Sequence, residues 1–283
     1  MKIFQTLLFK IRRYLMNNKI VVKLYALFPW RDILYTIKRY IFLDNYMKKN
    51  SNIISFKNID VKFFLPYYKK DFIQKQIIQN RNFYEFDYLN HVCSLYNNIV
   101  EREINNGLVL DIGANIGNHT IFFLKVKKAQ EIFCFEPVKT TFKILKTNIE
   151  INNLQSKVQL YNVGIGEKNG NAALKHYNTN NIGTAQINFD ANGDISVISI
   201  DELKIEKKIN FVKIDVEGFE LSVIKGMTET LKHSKPLIMI EIRDYLLNEI
   251  DNILIPLNYQ KVTIDVDIYN IGNYLYIPTD FIN

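Results

Sequence analysis

Residues 108–117 read Leu-Val-Leu-Asp-Ile-Gly-Ala-Asn-Ile-Gly, which is an apolar run followed by a turn with two glycines. Three consecutive aliphatic residues are typical of a short strand that is buried on both faces, as in a parallel sheet. Gly113 lets the backbone pass close to a ligand, and Gly117 allows a tight entry into a helix. These residues therefore predict a strand, a ligand-binding turn and a helix that begins near Asn118.

The chain beyond this turn alternates between short apolar runs and amphipathic stretches. Further strands are predicted at residues 132–135, 158–163, 211–214, 237–240, 261–266 and 274–277. Helices are predicted between them, including single helices over residues 220–231 and 246–254. This order is typical of an α/β fold with a Rossmann-like, doubly wound sheet that is mostly parallel and has an antiparallel last strand.

Two other regions have a recognisable pattern. Residues 81–104 predict one helix. Its apolar stripe comprises Leu89, Cys93, Tyr96 and Val100. Residues 166–200 are an insertion between two predicted strands, with Gly, Asn and alternating segments. We expect this insertion to form a hairpin that covers the ligand site.

Pattern and charge divide the chain into three predicted domains. Residues 1–50 are a basic amphipathic helical extension, residues 51–80 a short hairpin and connector, and residues 81–283 the ligand-binding domain. The first of these contains 11 Lys or Arg and 2 Asp or Glu, whereas the whole chain has a net charge of +7. The body therefore carries a slight excess of acidic residues, which argues against nucleic acid as a partner.

The apolar residues of the extension recur at helical spacing, with Lys and Arg between them. Helices of this kind pack on the body or on a partner protein, or they lie peripherally on anionic lipid head groups. No apolar run in the extension is long enough to cross a bilayer. The two cysteines make no disulfide framework, which predicts a reducing compartment. We expect a cytoplasmic protein, either free or peripheral at the inner face of the membrane.

The candidate ligand-binding residues follow the first three predicted strands, where open α/β sheets bind their ligands. After the first strand they are Asp111, Gly113, Ala114, Asn115, Gly117 and Asn118. Glu136 ends the second strand 19 residues after Gly117, close to the spacing of about 20 at which dinucleotide folds place the acid that binds ribose. Asn162 and Val163 end the third strand and are predicted to flank an adenine ring.

A nicotinamide-dependent oxidoreductase is the main rival interpretation. Its fingerprint is Gly-x-Gly-x-x-Gly, in which the second glycine lets the backbone approach a pyrophosphate. Here Asn115 occupies that position, and no third glycine follows at the required place. The turn therefore favours a ligand without phosphates.

The sequence resembles the FkbM family of S-adenosylmethionine-dependent methyltransferases over about residues 80–245. The resemblance depends on the motifs at residues 109–117, 135–137, 211–220, 223–227 and 236–241, which follow one another in the expected order. It implies a class I methyltransferase fold, S-adenosylmethionine as the cofactor and, in most cases, O-methylation of sugars or natural products. Residues 81–283 are then the methyltransferase domain, and residues 1–50 lie outside the resemblance.

Three carboxylates are the candidate catalytic residues. Asp215 and Glu217 follow the fourth strand of the predicted parallel sheet and Glu241 ends the fifth. We expect Asp215 to be the carboxylate nearest the transferred methyl group and the acceptor and also to contact the cofactor, with Glu217 or Glu241 as the alternative general base. Crowded like charges raise at least one pKa, which suits a general base. Alternatively, the glutamates bind backbone N–H groups or pair with Lys213 or Arg243. Three oxygen ligands also suit Mg²⁺, but no ligand spacing supports a metal, and none is predicted.

The sequence thus predicts a methyltransferase that uses S-adenosylmethionine to O-methylate a hydroxyl of a sugar, a glycan or a related bacterial product. The expected partner is a small-molecule or glycan acceptor. The alternative is a scaffold protein that keeps the fold and has lost catalysis. The presence of both Glu136 and Asp215 argues against that alternative.

Overall fold

The computed structural model describes residues 44–178, 181–267 and 269–282. The chain divides into two compact units, Met1–Asn52 and Ile53–Asn283. In the first unit the described residues form a helix over 44–49; the helices predicted nearer the N-terminus lie outside the described residues. No helix in the described part is long and apolar enough to cross a membrane. The predicted domain boundaries at residues 50 and 80 stay predictions.

The second unit contains thirteen described strands and seven described α-helices. The strands are β1 (Ile53–Phe56), β2 (Val61–Phe64), β3 (Leu108–Ile112), β4 (Glu131–Phe135), β5 (Val158–Tyr161), β6 (Gly164–Ile165), β7 (Gly170–Asn178), β8 (Asn181–Phe189), β9 (Ile195–Ile198), β10 (Ile209–Ile214), β11 (Leu237–Arg243), β12 (Tyr259–Val266) and β13 (Ile271–Pro278). The helices are α1 (Phe72–Asn80), α2 (Phe86–Asn106), α3 (Asn118–Lys125), α4 (Lys139–Ile151), α5 (Glu220–Lys225), α6 (Thr228–Ser234) and α7 (Asp244–Leu254).

The central sheet has the strand order β12-β13-β11-β10-β3-β4-β5. Its strands are parallel except β13, which runs antiparallel to both β11 and β12. This confirms the predicted doubly wound, mostly parallel class I sheet with an antiparallel last strand. Strand order reverses between β3 and β10, and ligands bind at such a switch point, beyond the carboxyl ends of the strands.

The core of this unit lies on both faces of the sheet. All five residues of β3 are buried, as predicted from its apolar run. Buried aliphatic residues of β10, β11 and helices α5 to α7 form one continuous cluster. Each fully buried aliphatic side chain stabilises the fold by about 1.5–3 kcal/mol relative to an exposed one. A rigid sheet of this kind fixes the positions of the residues at its carboxyl edge.

Two predicted helices are interrupted. In α2, Leu95 leaves the helical conformation and Tyr96, Asn97 and Asn98 adopt left-handed dihedral angles. The prediction that Tyr96 shares one helical stripe with Leu89, Cys93 and Val100 is therefore wrong, and its side chain is exposed. Asparagine tolerates this backbone region better than most residues, which explains where the break falls.

The helix predicted over residues 220–231 is two helices, α5 and α6, which separate at Gly226 and Met227. A Cβ atom at Gly226 would lie 1.9 Å from the carbonyl oxygen of Gly166. The break therefore coincides with the point at which the insertion touches this helical segment, a contact that helical periodicity does not reveal.

The insertion forms its own sheet in the order β6-β9-β7-β8, and β7 and β8 make the predicted antiparallel hairpin. The N–H of Ile182 in β8 donates to Oδ2 of Asp71 at 2.9 Å. Asp71 is buried, and its Oδ1 accepts the N–H of Gln74 at the start of α1. One carboxylate thus caps a helix and holds the hairpin.

Candidate active site

The turn after β3 is pressed against the turn after β10. Gly113 has a φ of +78°, and a Cβ atom there would lie 1.8 Å from the carbonyl oxygen of Asp215. The N–H groups of Gly113 and Ala114 both donate to the carbonyl oxygen of Phe135, at 2.9 and 3.0 Å. Gly117 also has a positive φ, of +86°. Only glycine fits at Gly113, for reasons of both dihedral angle and space.

Glu136 lies at the end of β4 with its side chain buried. Its Oε2 accepts the N–H of Asn115 at 3.0 Å, and its Oε1 accepts the N–H of Val138 at 2.9 Å. Burial raises the pKa of Glu136 to about 7, although the two N–H donors act in the opposite direction. Each carboxylate oxygen has a further lone pair, so two adjacent hydroxyls can donate to Glu136 from the cavity beside it.

That cavity, which we call the loop cavity, has a volume of about 590 Å³. Its polar wall comprises Gly113, Asn115, Glu136, Asp215 and Glu217, and its apolar wall Phe135, Ile182, Ala185, Ile187 and Phe219. The hairpin of the insertion supplies Ile182, Ala185 and Ile187, so it covers the cavity as predicted.

Lys213 is a site residue that sequence reasoning considered only as a possible partner for the glutamates. Its amine donates to the carbonyl oxygen of Gly113 at 2.8 Å and lies 3.4 Å from carboxylate oxygens of both Asp111 and Asp215. Burial lowers the pKa of Lys213, but the carboxylates of Asp215 and Asp111 outweigh it and the net shift is upward. A lysine within the apolar run Phe211–Ile214 was the available signal.

Asp111 is fully buried beneath the turn. Its Oδ2 accepts the hydroxyl of Thr120 at 2.6 Å, and its Oδ1 faces Lys213. Asp111 therefore holds Lys213 and α3 in place and does not line the loop cavity. Its predicted contact with the cofactor stays a prediction.

Asp215, Glu217 and Glu241 do converge, as their positions after neighbouring strands predicted. Each offers a carboxylate oxygen within 4.8 Å of the others. Glu217 pairs with the guanidinium of Arg243 at 2.9 Å, which is one of the alternatives weighed for the glutamates. Burial and the charge of Asp215 raise the pKa of Glu217 to about 7 despite Arg243. Burial and the carboxylates of Asp215, Glu217 and Glu85 raise the pKa of Glu241 to about 8.

These three carboxylates face a second cavity of about 730 Å³, which we call the carboxylate cleft. Its opposite wall comprises Phe72, Tyr84, Glu85, Tyr88 and His119. Sequence reasoning missed Phe72, Tyr84, Glu85 and Tyr88, because nothing in their spacing relates them to the sheet edge. Asn115, Gly183, Asp215 and Glu217 line both cavities, so the two are adjacent.

Asn118 and Asn162 hold backbone segments near the cavities. The side chain of Asn118 accepts the N–H of Tyr84 at 2.9 Å and donates to its carbonyl oxygen at 3.0 Å. Asn162 donates to the carbonyl oxygens of Glu136 and Pro137, at 2.8 and 3.1 Å. Val163 packs against the sheet core. Asn162 and Val163 directly follow β5. Their predicted contact with adenine stays a prediction.

Comparison with known proteins connects this geometry to a family. The model of the methyltransferase FkbM domain matches residues 111–261, which is more than half of the chain and confirms the resemblance found in the sequence. The match begins at Asp111 and contains the three converging carboxylates.

Individual relatives are distant. The hexuronic acid methyltransferase AglP of Haloferax volcanii is 30% identical over 137 residues, which cover 47% of this chain and 55% of AglP. The 2-O-methyltransferase NoeI of Sinorhizobium fredii is 26% identical over 152 residues, covering 45% of this chain and 60% of NoeI. The matched part therefore spans less than two thirds of these relatives. The crystal structure of methyltransferase FkbM from Methylobacillus flagellatus has a TM-score of 0.44 and 23% identity, over 61% of this chain and 44% of that one.

Proposed function

This chain belongs to the FkbM methyltransferase family, and we propose that it transfers the methyl group of S-adenosylmethionine to a hydroxyl of a sugar in a glycan or related product. The observation that carries the proposal is the adjacency of the loop cavity and the carboxylate cleft, which share Asp215 and Asn115. One cavity has the features of a nucleoside site, and the other presents carboxylates to a second reactant. The name of the relative AglP states a sugar acid, which supports a sugar acceptor, and the name of NoeI states a 2-O position, which supports transfer to an oxygen atom.

The loop cavity fits S-adenosylmethionine on its own residues. Glu136 has lone pairs free for the two ribose hydroxyls, and Oδ1 of Asn115 is buried without a hydrogen-bond partner among the described residues. Gly113 leaves no Cβ atom between the turn and the ligand. The free N–H groups at the start of α3 suit the methionyl carboxylate, because a helix N-terminus attracts anions.

Alignment is the largest requirement of the reaction. S-adenosylmethionine supplies a methyl group on a cationic sulfur, and attack by a hydroxyl oxygen must be in line with the departing bond. Correct alignment can supply about 7–11 kcal/mol of the barrier. The walls of the carboxylate cleft hold the acceptor, and Asp215, where the two cavities meet, orients its hydroxyl and stabilises the nearby positive charge.

The acceptor hydroxyl also has to lose a proton, and we assign that role to Glu241. Glu217 is held by Arg243, whereas the raised pKa of Glu241, about 8, matches the pH at which a general base is useful. Proton removal by a positioned base accelerates a reaction by about 10²–10⁴-fold.

The three carboxylates are close enough for a divalent cation, but Lys213 and Arg243 already balance two of them. Activity that survives EDTA supports this view, and activity that EDTA abolishes and Mg²⁺ restores contradicts it.

Isothermal titration calorimetry with S-adenosylmethionine tests the cofactor assignment directly. We expect binding by the full chain, at least tenfold weaker in Glu136→Ala. Glu131→Gln is the matched control, because Glu131 lies at the opposite end of the same strand, far along β4 from the turn. Failure of the intact protein to bind S-adenosylmethionine would refute the proposal.

Turnover separates an enzyme from a scaffold of the same fold. We expect formation of S-adenosylhomocysteine that depends on an acceptor extract. Binding of S-adenosylmethionine with no acceptor-dependent turnover would favour the scaffold. If the protein instead catalysed reduction of a nicotinamide cofactor by a component of the same extract, an oxidoreductase would be favoured. Asn115 argues against that outcome, because it stands where the dinucleotide fingerprint requires a glycine.

A further inference from the structure

The carboxylate cleft is crowded with negative charge from three separate segments of the fold. Glu85 comes from the segment before α2, Asp215 and Glu217 from the turn after β10, and Glu241 from β11. The side chain of Asp215 is 37% exposed, so its charge reaches the cleft rather than being confined to the interior.

The permanent cations nearby are already paired. Lys213 is buried between Asp111 and Asp215 and donates to the carbonyl oxygen of Gly113. Arg243 lies 2.9 Å from Glu217. Nε2 of His119 lies 3.3 Å from Oε2 of Glu85. Among the described residues, the four carboxylates of the cleft and the buried Asp111 are thus accompanied by two permanent cations, Lys213 and Arg243, and both cations are already paired.

This excess of carboxylates affects the pKa of Glu241, which lines the cleft. Burial and the carboxylates of Asp215, Glu217 and Glu85 raise the pKa of Glu241 to about 8, because a further negative charge is unfavourable there. A cationic sulfonium offsets part of this negative potential. An anionic group on the acceptor increases it.

The remaining wall offers apolar surface and a hydrogen-bonding group without charge. Phe72 and Tyr84 are in edge contact, with ring centroids 6.1 Å apart, and present aromatic surface to the cleft. The hydroxyl of Tyr88 is buried and makes no hydrogen bond to any described residue. Aromatic rings and a free hydroxyl suit the C–H and O–H groups of a sugar ring.

We infer that the sugar residue methylated by this protein carries no anionic group: its substituents are hydroxyl or ammonium groups, and a hexuronic acid is excluded from the carboxylate cleft. Hydroxyl and ammonium groups both donate to carboxylates, whereas a carboxylate on the sugar would face Glu85 and Glu241 with no available cation among the described residues. This inference rests on the proposed function.

The charge of the methylated sugar can be measured without knowing the acceptor in advance. The full-length protein is incubated with methyl-labelled S-adenosylmethionine and an extract of source cells that lack the gene, and the product is hydrolysed by acid to monosaccharides. We expect the labelled O-methyl sugar to pass through an anion exchanger without being retained. A cation exchanger then separates a neutral sugar, which it does not retain, from an amino sugar, which it does. A labelled O-methyl uronic acid retained by the anion exchanger would overturn the inference and leave the methyltransferase function intact. No labelled sugar, with cofactor binding intact, would overturn the proposed function and the inference with it.

A charge-removal variant tests the electrostatic cause. Methyl α-D-glucuronide is used as an inhibitor of the labelled transfer, with methyl α-D-glucoside as its uncharged counterpart. We expect Glu85→Gln to strengthen inhibition by the glucuronide about three- to tenfold, the effect of removing one charge a few ångströms away in a partly solvated cleft. Inhibition by the glucoside should stay unchanged, and the difference should shrink at high salt.

Glu249→Gln is the matched control, since it removes one carboxylate from the exposed surface of α7. Equal sensitivity to the glucuronide in the unmodified protein, Glu85→Gln and Glu249→Gln would show that cleft charge does not select the acceptor, and would overturn the inference. The inference would also be overturned if Glu249→Gln strengthened inhibition by the glucuronide more than Glu85→Gln does.

Discussion

The amine of Lys213 donates to the carbonyl oxygen of Gly113 across 2.8 Å, which joins the fourth strand of the parallel sheet to the glycine turn of the first. The same amine balances the buried carboxylate of Asp111. The shape of the cofactor turn is therefore set from beneath by a buried ion pair, in addition to its glycines. This relationship has consequences for stability and for binding.

Lys213→Met should destabilise the protein by about 3–5 kcal/mol, because it leaves Asp111 buried without its cation. Urea unfolding measures the loss, and calorimetry measures the accompanying fall in affinity for S-adenosylmethionine. The double variant Lys213→Met/Asp111→Asn should recover part of the stability, since the unpaired charge is gone. A single variant as stable as the unmodified protein would contradict this role of the pair.

Gly113→Ala should abolish cofactor binding and lower the free energy of unfolding by about 1–3 kcal/mol from backbone strain alone. The φ of +78° disfavours any side chain, and a Cβ atom would overlap the carbonyl oxygen of Asp215. Gly170→Ala is a useful control, because the nearest atom to a Cβ atom there is 3.7 Å away, on Phe189. Similar melting temperatures and affinities in the two variants would show that the turn adapts more readily than its geometry implies.

The rate of methyl transfer at limiting S-adenosylmethionine and saturating acceptor, which reflects the cofactor-free protein, should rise with pH and level off above about pH 8. Glu241, with its pKa raised to about 8, is mostly protonated at pH 6 and becomes able to accept the hydroxyl proton as the pH increases. Glu241→Gln should lose this pH-dependent limb and about 10²–10⁴-fold in rate while still binding S-adenosylmethionine. If the limb persists in Glu241→Gln, Glu217, with a pKa of about 7, is the next residue to test.

Asp71→Ala should weaken cofactor binding as well as stability. The variant removes the acceptor for the N–H of Ile182 and with it the attachment of the hairpin that covers the loop cavity. Loss of a helix cap by itself costs about 0.5–2 kcal/mol. Asp201→Ala removes three bonds, from the N–H groups of Glu229 and Thr230 and from the hydroxyl of Thr230, at a helix start outside both cavities. Only Asp71→Ala should accelerate dissociation of the cofactor in stopped-flow measurements.

The basic N-terminal segment leads to a separate prediction about location. Residues 1–50 concentrate positive charge and helical apolar spacing, so we propose that they bring the protein to anionic membrane surfaces. The full chain should co-sediment with phosphatidylglycerol-containing liposomes and not with neutral ones, and deletion of residues 1–50 should abolish this. Undiminished sedimentation of the truncated protein would refute the proposal. Sedimentation with neither type of liposome would instead favour helices that pack on protein.

Local sequence patterns were sufficient for the elements of the sheet and for the turn that follows its first strand. Apolar runs such as residues 108–110 have few alternatives to a buried strand, and Gly113 and Gly117 mark the turn without reference to any distant residue. The convergence of Asp215, Glu217 and Glu241 also followed from the sequence, because parallel strands end at the same edge.

The opposite wall of the carboxylate cleft and the partners of the buried groups depended on contacts between residues far apart in the chain. Tyr84 and Glu85 reach the sheet edge because Asn118 binds the backbone of Tyr84, 34 residues away. Lys213 and Asp111 pair because β3 and β10 are neighbours in the sheet.

Short-range hydrophobic patterning and backbone sterics therefore account for the strands and for the two glycines of the turn, since both act within a few residues. The contact of Lys213 with the carbonyl oxygen of Gly113 depends on the folded sheet. The charge of the carboxylate cleft and the pKa of Glu241 depend on burial and on carboxylates contributed by separate segments. Such interactions exist only once the chain has folded, because Coulomb energies vary with distance and with exclusion of water.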